Sequence, residues 1–244
     1  MYDSSRAPPA GRQPAFNLPS VVAGLLGALL AIHAARYWLL GNRAEEWLIG
    51  TFAFIPWRET AAAIGGALPG GEGARAWSFL TYAFLHGSWG HLLINAVWLA
   101  AFGSPLAWRF GTARFLMFSA AGAIAGAALH LAVYPRDITP MVGASAAISA
   151  HMAGASRFVF AYGGPMWRGR DVAAYRQPAP PLAVSAGNPR VLAFLGIWFA
   201  VNLVFGLAGS GGITSGPIAW DAHIGGFLAG LLLFSLFDPV PPGR

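Results

Sequence analysis

The sequence has no cysteine and no lysine, and only 10% of its 244 residues are charged. Without cysteine there can be no disulfide, no thiolate metal site and no thiol nucleophile. Soluble domains carry about 25% charged residues. A chain at 10%, with 56% hydrophobic residues and a mean hydropathy of +0.56, is a membrane protein and not a water-soluble one. Acidic residues are also scarce, nine against fifteen basic ones, and every basic residue is Arg. The calculated pI near 10.5 would point to nucleic acid in a soluble protein. Here the positive-inside rule accounts for the arginines, so the partner read from them is the lipid bilayer and no nucleic acid. Arg without Lys, beside heavy use of Ala and Gly, suggests a GC-rich bacterial genome.

What the sequence does have is long apolar runs. Six candidate spans fall at about 18–40, 84–105, 112–134, 141–161, 191–209 and 220–237, each near the ~20 residues needed to cross a bilayer. The first lacks a cleavage-type ending and reads as a retained helix rather than a signal peptide. The expected fold class is therefore all-α: a polytopic membrane domain of six transmembrane helices over 18–237. A polar, Pro-rich tail at 1–17 reads as disordered, and a short tail follows at 238–244. The long connection 41–83 contains EEWLIGTFAFIPWRE, which is amphipathic and Trp-flanked, as interfacial segments are. The connection 162–190 is rich in Pro, Gly and Arg and reads as a flexible loop. With the N-terminus cytoplasmic, ten arginines lie inside, and five (Arg36, Arg43, Arg58, Arg75 and Arg136) lie outside. That asymmetry places both termini in the cytoplasm and makes 41–83 extracytoplasmic and 162–190 cytoplasmic. The expected location is the bacterial inner membrane.

Polar side chains inside membrane spans are costly, and function is their default explanation. The second span opens with FLHGSWGHLLINAVW, giving His86, His91 and Asn95; the fourth opens near Ser145; the sixth opens with WDAHIGGFLAG, giving Asp221 and His223. All three spans enter from the same face in this topology, so these groups share a side and a depth. A serine used as a nucleophile needs a base within hydrogen-bond reach and donors aimed at the developing oxyanion. His223 can be that base. His91 and Asn95, at i and i+4, project from one helix face as donors. Pro140 and Gly143 precede Ser145 as a loop feeding a helix start, where free N–H groups favour negative charge. Gly226 and Gly230, with the small residues Gly143, Ala147 and Ala150, allow the close helix approach that a Ser–His hydrogen bond requires. His33 and His130 have no evident partners and read as packing residues. Gly122 and Gly126 read as ordinary helix packing, and Ser149 as structural.

These residues resemble the rhomboid intramembrane serine proteases. HGSWGHLLIN has that family's His, four residues, His, three residues, Asn; GAS at 143–145 has its Gly-x-Ser; AHIGGFLAG has its Ala-His-x-x-Gly-x-x-x-Gly. The likeness covers about 18–237, with the motifs in the family's order. It implies a Ser145–His223 dyad and an oxyanion site of the Ser145 N–H, His91 and Asn95. No cofactor and no metal are implied. Asp221 is expected to cap the sixth span, and His86 to brace the first loop, where Trp57-Arg58 resembles a family pair. The implied substrates are transmembrane proteins cut near the outer face, with the 41–83 and 210–219 loops as lid and entry near the fifth span.

Three positions depart from the family. Ala146 stands where Gly follows the nucleophile, Ser149 stands where some members stack a Tyr on the base, and Ala107 stands where Glu is common. The first two motivate an alternative, a catalytically inactive relative that binds transmembrane clients. A zinc site of His86, His91 and His223 is disfavoured because Asn95 is a poor zinc ligand and no carboxylate joins them. A small-solute transporter is disfavoured because the inner halves of the spans are apolar, with Asn202 the main exception.

Overall fold

The computed structural model describes residues 18–61, 69–168, 172–208 and 218–241. Most of the expected lid at 210–219 and the tails at 1–17 and 242–244 lie outside them. Among the described residues twelve α-helices follow one another: α1 (Ser20–Leu39), α2 (Asn42–Phe52), α3 (Pro56–Ala61), α4 (Gly71–Thr81), α5 (Trp89–Trp98), α6 (Ser104–Phe110), α7 (Thr112–Val133), α8 (Ser145–Ser156), α9 (Pro165–Arg168), α10 (Leu182–Ala186), α11 (Pro189–Ala208) and α12 (Trp220–Phe237). Among the described residues the β-structure is a single isolated bridge, Phe54 to Met141. The protein is an all-helical polytopic membrane fold.

Proline decides several of the helix ends. Pro189 opens α11 at the first helical position, where its missing N–H costs nothing. Tyr134 and Asp238, each preceding a proline, leave helical geometry at φ −126°, ψ 60° and φ −70°, ψ 116°, because a following Pro disfavours α backbone. Pro105 has no N–H to give the Ala101 carbonyl, and the chain widens into a π-helical turn at Leu99–Gly103 between α5 and α6.

Among the described residues four helical stretches are long and apolar enough to cross a membrane: Ser20–Leu39, Trp89–Phe110, Thr112–Val133 and Trp220–Phe237; Pro189–Val204 is a shorter apolar stretch. The fourth expected span differs from its 141–161 reading. Its helix, α8, has 12 residues, which rise only about 18 Å against a hydrocarbon core of about 30 Å. Ala146 to Ser156 are all buried, so α8 is enclosed by its neighbours. Irregular backbone is tolerated at membrane depth only under such enclosure, and the strand-like segment leading into α8 has it.

α7, α8 and α12 make the tightest unit, and the reason is small residues. A Cβ at Gly122 or Gly126 would fall 2.5 Å from the Cβ of Ala150 or Ala146, and one at Gly226 or Gly230 would fall 2.0 or 2.4 Å from the Ala146 or Ala150 carbonyl oxygen. α8 is thus clasped between backbones on both sides. Outward, Leu93, Val97, Ile197, Leu232 and Leu236 are exposed, a surface suited to lipid.

The described parts of the connection 41–83 form α2, α3 and α4. Arg58 donates to the Ala53 and Gly50 carbonyls, closing the end of α2, and the Trp77 indole N–H donates to Thr51 O at 3.0 Å. Described residues of the connection 162–190 are also tied to the helices by hydrogen bonds, which its reading as a flexible loop did not anticipate. Buried Arg109 pairs bidentately with Asp238 at 2.9 and 2.8 Å and donates to the Tyr175 and Gln177 carbonyls. Arg157 donates to Pro180 O at 3.0 Å. Although Ala107 replaces the common Glu, a polar network therefore exists at this end, built on Asp238.

Candidate active site

The nucleophile candidate is placed by the turn before α8. Gly143 has φ +124°, a conformation that side chains other than hydrogen adopt only under strain. Its N–H donates to Tyr82 O at 3.0 Å, and Met141 exchanges two backbone hydrogen bonds with Phe54. The Tyr82 hydroxyl donates to Ala123 O of α7 at 2.8 Å. So pinned, the chain enters α8 with Ser145 as its first residue. The first-turn N–H groups of a helix lack intrahelical acceptors, and Ser145 stands at that end of α8.

His223 faces it from the first turn of α12. The Ser145 hydroxyl lies 2.8 Å from His223 Nε2. The two helices can come this close because Gly226, three residues past His223, has no side chain to meet the Ala146 carbonyl. Ala146 is buried, and its methyl group occupies room that Gly126 leaves open. The departure from Gly at this position is matched by small residues on both flanking helices.

The α5 groups lie on the other side of Gly143. Ser88 caps α5, its hydroxyl accepting from the His91 N–H at 3.1 Å. Asn95 is buried and donates one amide proton to the His91 carbonyl at 3.0 Å, leaving the second for another acceptor. A Cβ built at Gly143 would lie 2.7 Å from His91 Nε2 and 3.7 Å from Ser145 Oγ. Glycine thus keeps open the space between the α5 imidazole and the hydroxyl. The His86 ring meets the His91 ring edge-on at 5.0 Å. His86 braces through its backbone carbonyl, which accepts from Arg36 at 3.0 Å, while Arg36 holds Glu45 of α2 at 2.5 Å. Those contacts tie α1, the 41–83 connection and the start of α5 together.

A cavity of about 710 Å³ opens over these groups, lined by His91, Asn95, Ser145, His223, Trp198 and Asn202 among others. It lies where the C-terminal ends of α1 and α7 meet the N-terminal ends of α5, α8 and α12, since Arg36 and Tyr134 also line it. The described residues contain no grouping of three His, Cys, Asp or Glu able to hold a metal ion.

Three sequence expectations are corrected. Asp221 does not cap α12: the N-cap is Ala219, without a side-chain cap bond, and the Asp221 carboxylate instead meets His130 Nδ1 at 2.7 Å. His130 is therefore not partnerless; it joins α7 to α12 in a buried pair. Asn202 is not an inner-half exception, since it lines the cavity with its Oδ1 2.5 Å from His223 Nδ1. An isolated amide in an otherwise apolar helix was the signal available for it. What the sequence lacks is the pairing of α11 with α12. His33 does behave as a packing residue, edge-on to Trp89 at 4.6 Å. A second Ser–His contact, Ser119 to His151 at 2.8 Å, joins α7 to α8 away from the cavity.

Comparison with known proteins bears on all of this. The sequence model of the Rhomboid domain matches residues 73–238, from α4 to just past α12. The chain is 40% identical over 85 residues to Rhomboid-related protein 3 of Homo sapiens, covering 33% of this chain and 20% of that protein. It is 27% identical over 157 residues to Rhomboid protease GlpG of Yersinia pestis (strain Pestoides F), covering 64% of this chain and 46% of that protein. The match to Rhomboid protease GlpG of Yersinia pseudotuberculosis serotype O:3 (strain YPIII) is the same in identity and coverage. The matches thus span less than half the length of these relatives. A family match over most of the chain, on top of three motifs that meet around one cavity, leaves one assignment: the chain belongs to the rhomboid family.

Proposed function

We propose that the protein is an intramembrane serine endopeptidase that cuts transmembrane proteins near the outer face of a bacterial inner membrane, with both its termini cytoplasmic. The observation that carries this is the Ser145–His223 hydrogen bond of 2.8 Å at a helix N-terminus that lines a cavity. The protease name of the GlpG relatives supports the reaction class.

In this reading Ser145 Oγ attacks the scissile carbonyl carbon while His223 Nε2 takes its proton. The carbonyl oxygen becomes an oxyanion held by the Ser145 N–H, the second amide proton of Asn95 and the His91 ring. When the intermediate collapses, the C–N bond breaks and His223 returns the proton to the leaving amine. Water then attacks the acyl-serine with His223 again as base, and the hydroxyl is regenerated. Preorganised donors of this kind contribute about 2.7–4 kcal/mol each to transition-state stabilisation in acyl transfer. The inactive-binder alternative loses its footing at Ala146, whose methyl group is accommodated, and at Ser149, because His223 has another partner in Asn202.

The test is cleavage of a purified transmembrane substrate in proteoliposomes, with fluorophosphonate labelling in parallel. Parent protein should cut and label; Ser145→Ala should do neither, and His223→Ala should not cut. Cleavage by either variant at the parent rate would overturn the dyad.

A further inference from the structure

We propose that Asn202 of α11 is a positioning residue for His223, fixing both the orientation of its ring and the nitrogen that carries the proton. This rests on the dyad reading above and extends it to a third side chain.

The two ends of the Asn202 amide have different partners. Its Nδ2 donates to the Trp198 carbonyl at 2.8 Å. That contact settles which end of the amide points where, because a carbonyl can accept only from the NH₂ group. Oδ1 is thereby turned toward His223 Nδ1, 2.5 Å away. An amide oxygen can only accept, so Nδ1 carries the hydrogen and Nε2 is left with a bare lone pair. Nε2 is the nitrogen that faces the Ser145 hydroxyl at 2.8 Å, and a bare lone pair is what a base needs there. With the amide reversed, Nε2 would hold the proton and the serine could not be deprotonated.

The register of the two helices supports the contact independently. Trp198 stacks on Phe227 with ring centroids 4.7 Å apart. Asn202 is one turn further along α11, and His223 is one turn back along α12. Two antiparallel helices bring 198 to 227 and 202 to 223 in the same register, so the aromatic stack and the amide–imidazole bond hold each other in place. A neutral amide accepts from Nδ1 and so fixes the tautomer without favouring the imidazolium.

The experiment uses the full chain in proteoliposomes with a transmembrane substrate, comparing parent, Ser145→Ala, His223→Ala, Asn202→Leu and Asn202→Asp. Asn202→Leu should lower kcat by about 10- to 100-fold, with KM unchanged and the thermal unfolding midpoint at the parent value, since loss of the orienting partner acts on the base. Asn202→Asp should recover much of that loss and move the acidic limb of the pH–rate profile to higher pH by about 1 unit or more, because a carboxylate at Nδ1 favours the imidazolium. The other titratable groups around His223 are His91 on α5 and Asp221 on α12 with its partner His130 on α7. They are common to all variants, so the shift reads position 202 alone. Parent kcat in Asn202→Leu, or no recovery and no pH shift in Asn202→Asp, overturns the positioning role while leaving the dyad standing. Loss of kcat that tracks a lowered unfolding midpoint also overturns it, by making Asn202 a packing residue. Full cleavage by Ser145→Ala or His223→Ala overturns the dyad, and Asn202 falls with it.

Discussion

Among the described residues two Ser–His contacts have equal length and opposite surroundings. Ser145 meets His223 at 2.8 Å, and Ser119 meets His151 at 2.8 Å. In the first, the serine is the opening residue of a helix, the far nitrogen of the imidazole has an acceptor in Asn202, and a cavity admits a reactant. In the second, the serine lies within α7 and donates back to the Phe115 carbonyl at 2.8 Å. The His151 ring is stacked 4.8 Å from Phe115, and its Nδ1 has no hydrogen-bond partner. A hydroxyl and an imidazole at hydrogen-bond distance are therefore a fastener in one place and a candidate catalyst in the other. The difference lies in the free N–H groups, the second imidazole partner and the cavity.

Removing the hydroxyls separates the two pairs most sharply. Ser145→Ala should lower peptide cleavage by more than about 10⁴-fold, since dyad members act as a unit, and should abolish fluorophosphonate labelling. Widening the gap between α8 and α12 comes next. Gly226→Ala places a carbon against the Ala146 carbonyl, and displacement of reacting groups by about 1 Å costs about 10²-fold in rate. Turnover should fall by that order and thermal unfolding should occur at lower temperature, whereas Gly196→Ala, with open space around it, should change neither. Loss of an oxyanion donor is of similar or smaller size: His91→Ala should lower kcat about 10²-fold. Asn95→Ala should lower it less, one of its amide protons being engaged with the His91 carbonyl. The smallest effect on activity belongs to the second pair. Ser119→Ala should leave cleavage and labelling at parent values, yet destabilise the fold by about 1–3 kcal/mol by stripping a buried imidazole of its partner. A drop in labelling with Ser119→Ala would erase the distinction between the two pairs.

The apolar spans and the candidate groups on α5, α8 and α12 were legible because each is announced locally. A run of about 20 apolar residues is a length signal, and His91, Asn95, Ser145 and His223 follow loop-to-helix transitions where polar residues are conspicuous. The length of α8 was not legible. Residues 141–161 are apolar throughout enough of their length to read as a span, and only burial by α7 and α12 explains a 12-residue helix at this position. The role of Asp221 was misread for a related reason. Two residues from a helix start, a carboxylate suggests a cap, and nothing local reveals that His130, 91 residues earlier, waits across the helix interface. Likewise the hydrogen bonds that tie Tyr175 and Gln177 to the helices depend on Arg109 reaching carbonyls 66 and 68 residues away.

By itself the sequence determined that this chain lives in a bilayer, that it is helical, and that its few polar intramembrane groups lie near one end of their spans. Those properties follow from composition and from the helical period, which are local. Only the tertiary structure decided which serine faces which histidine, that Gly226 and Gly126 make room for Ala146, and that the Asn202 amide meets the far nitrogen of His223. These are properties of helix pairing, and pairing depends on the close fit of surfaces far apart in the chain, for which hydropathy carries no information.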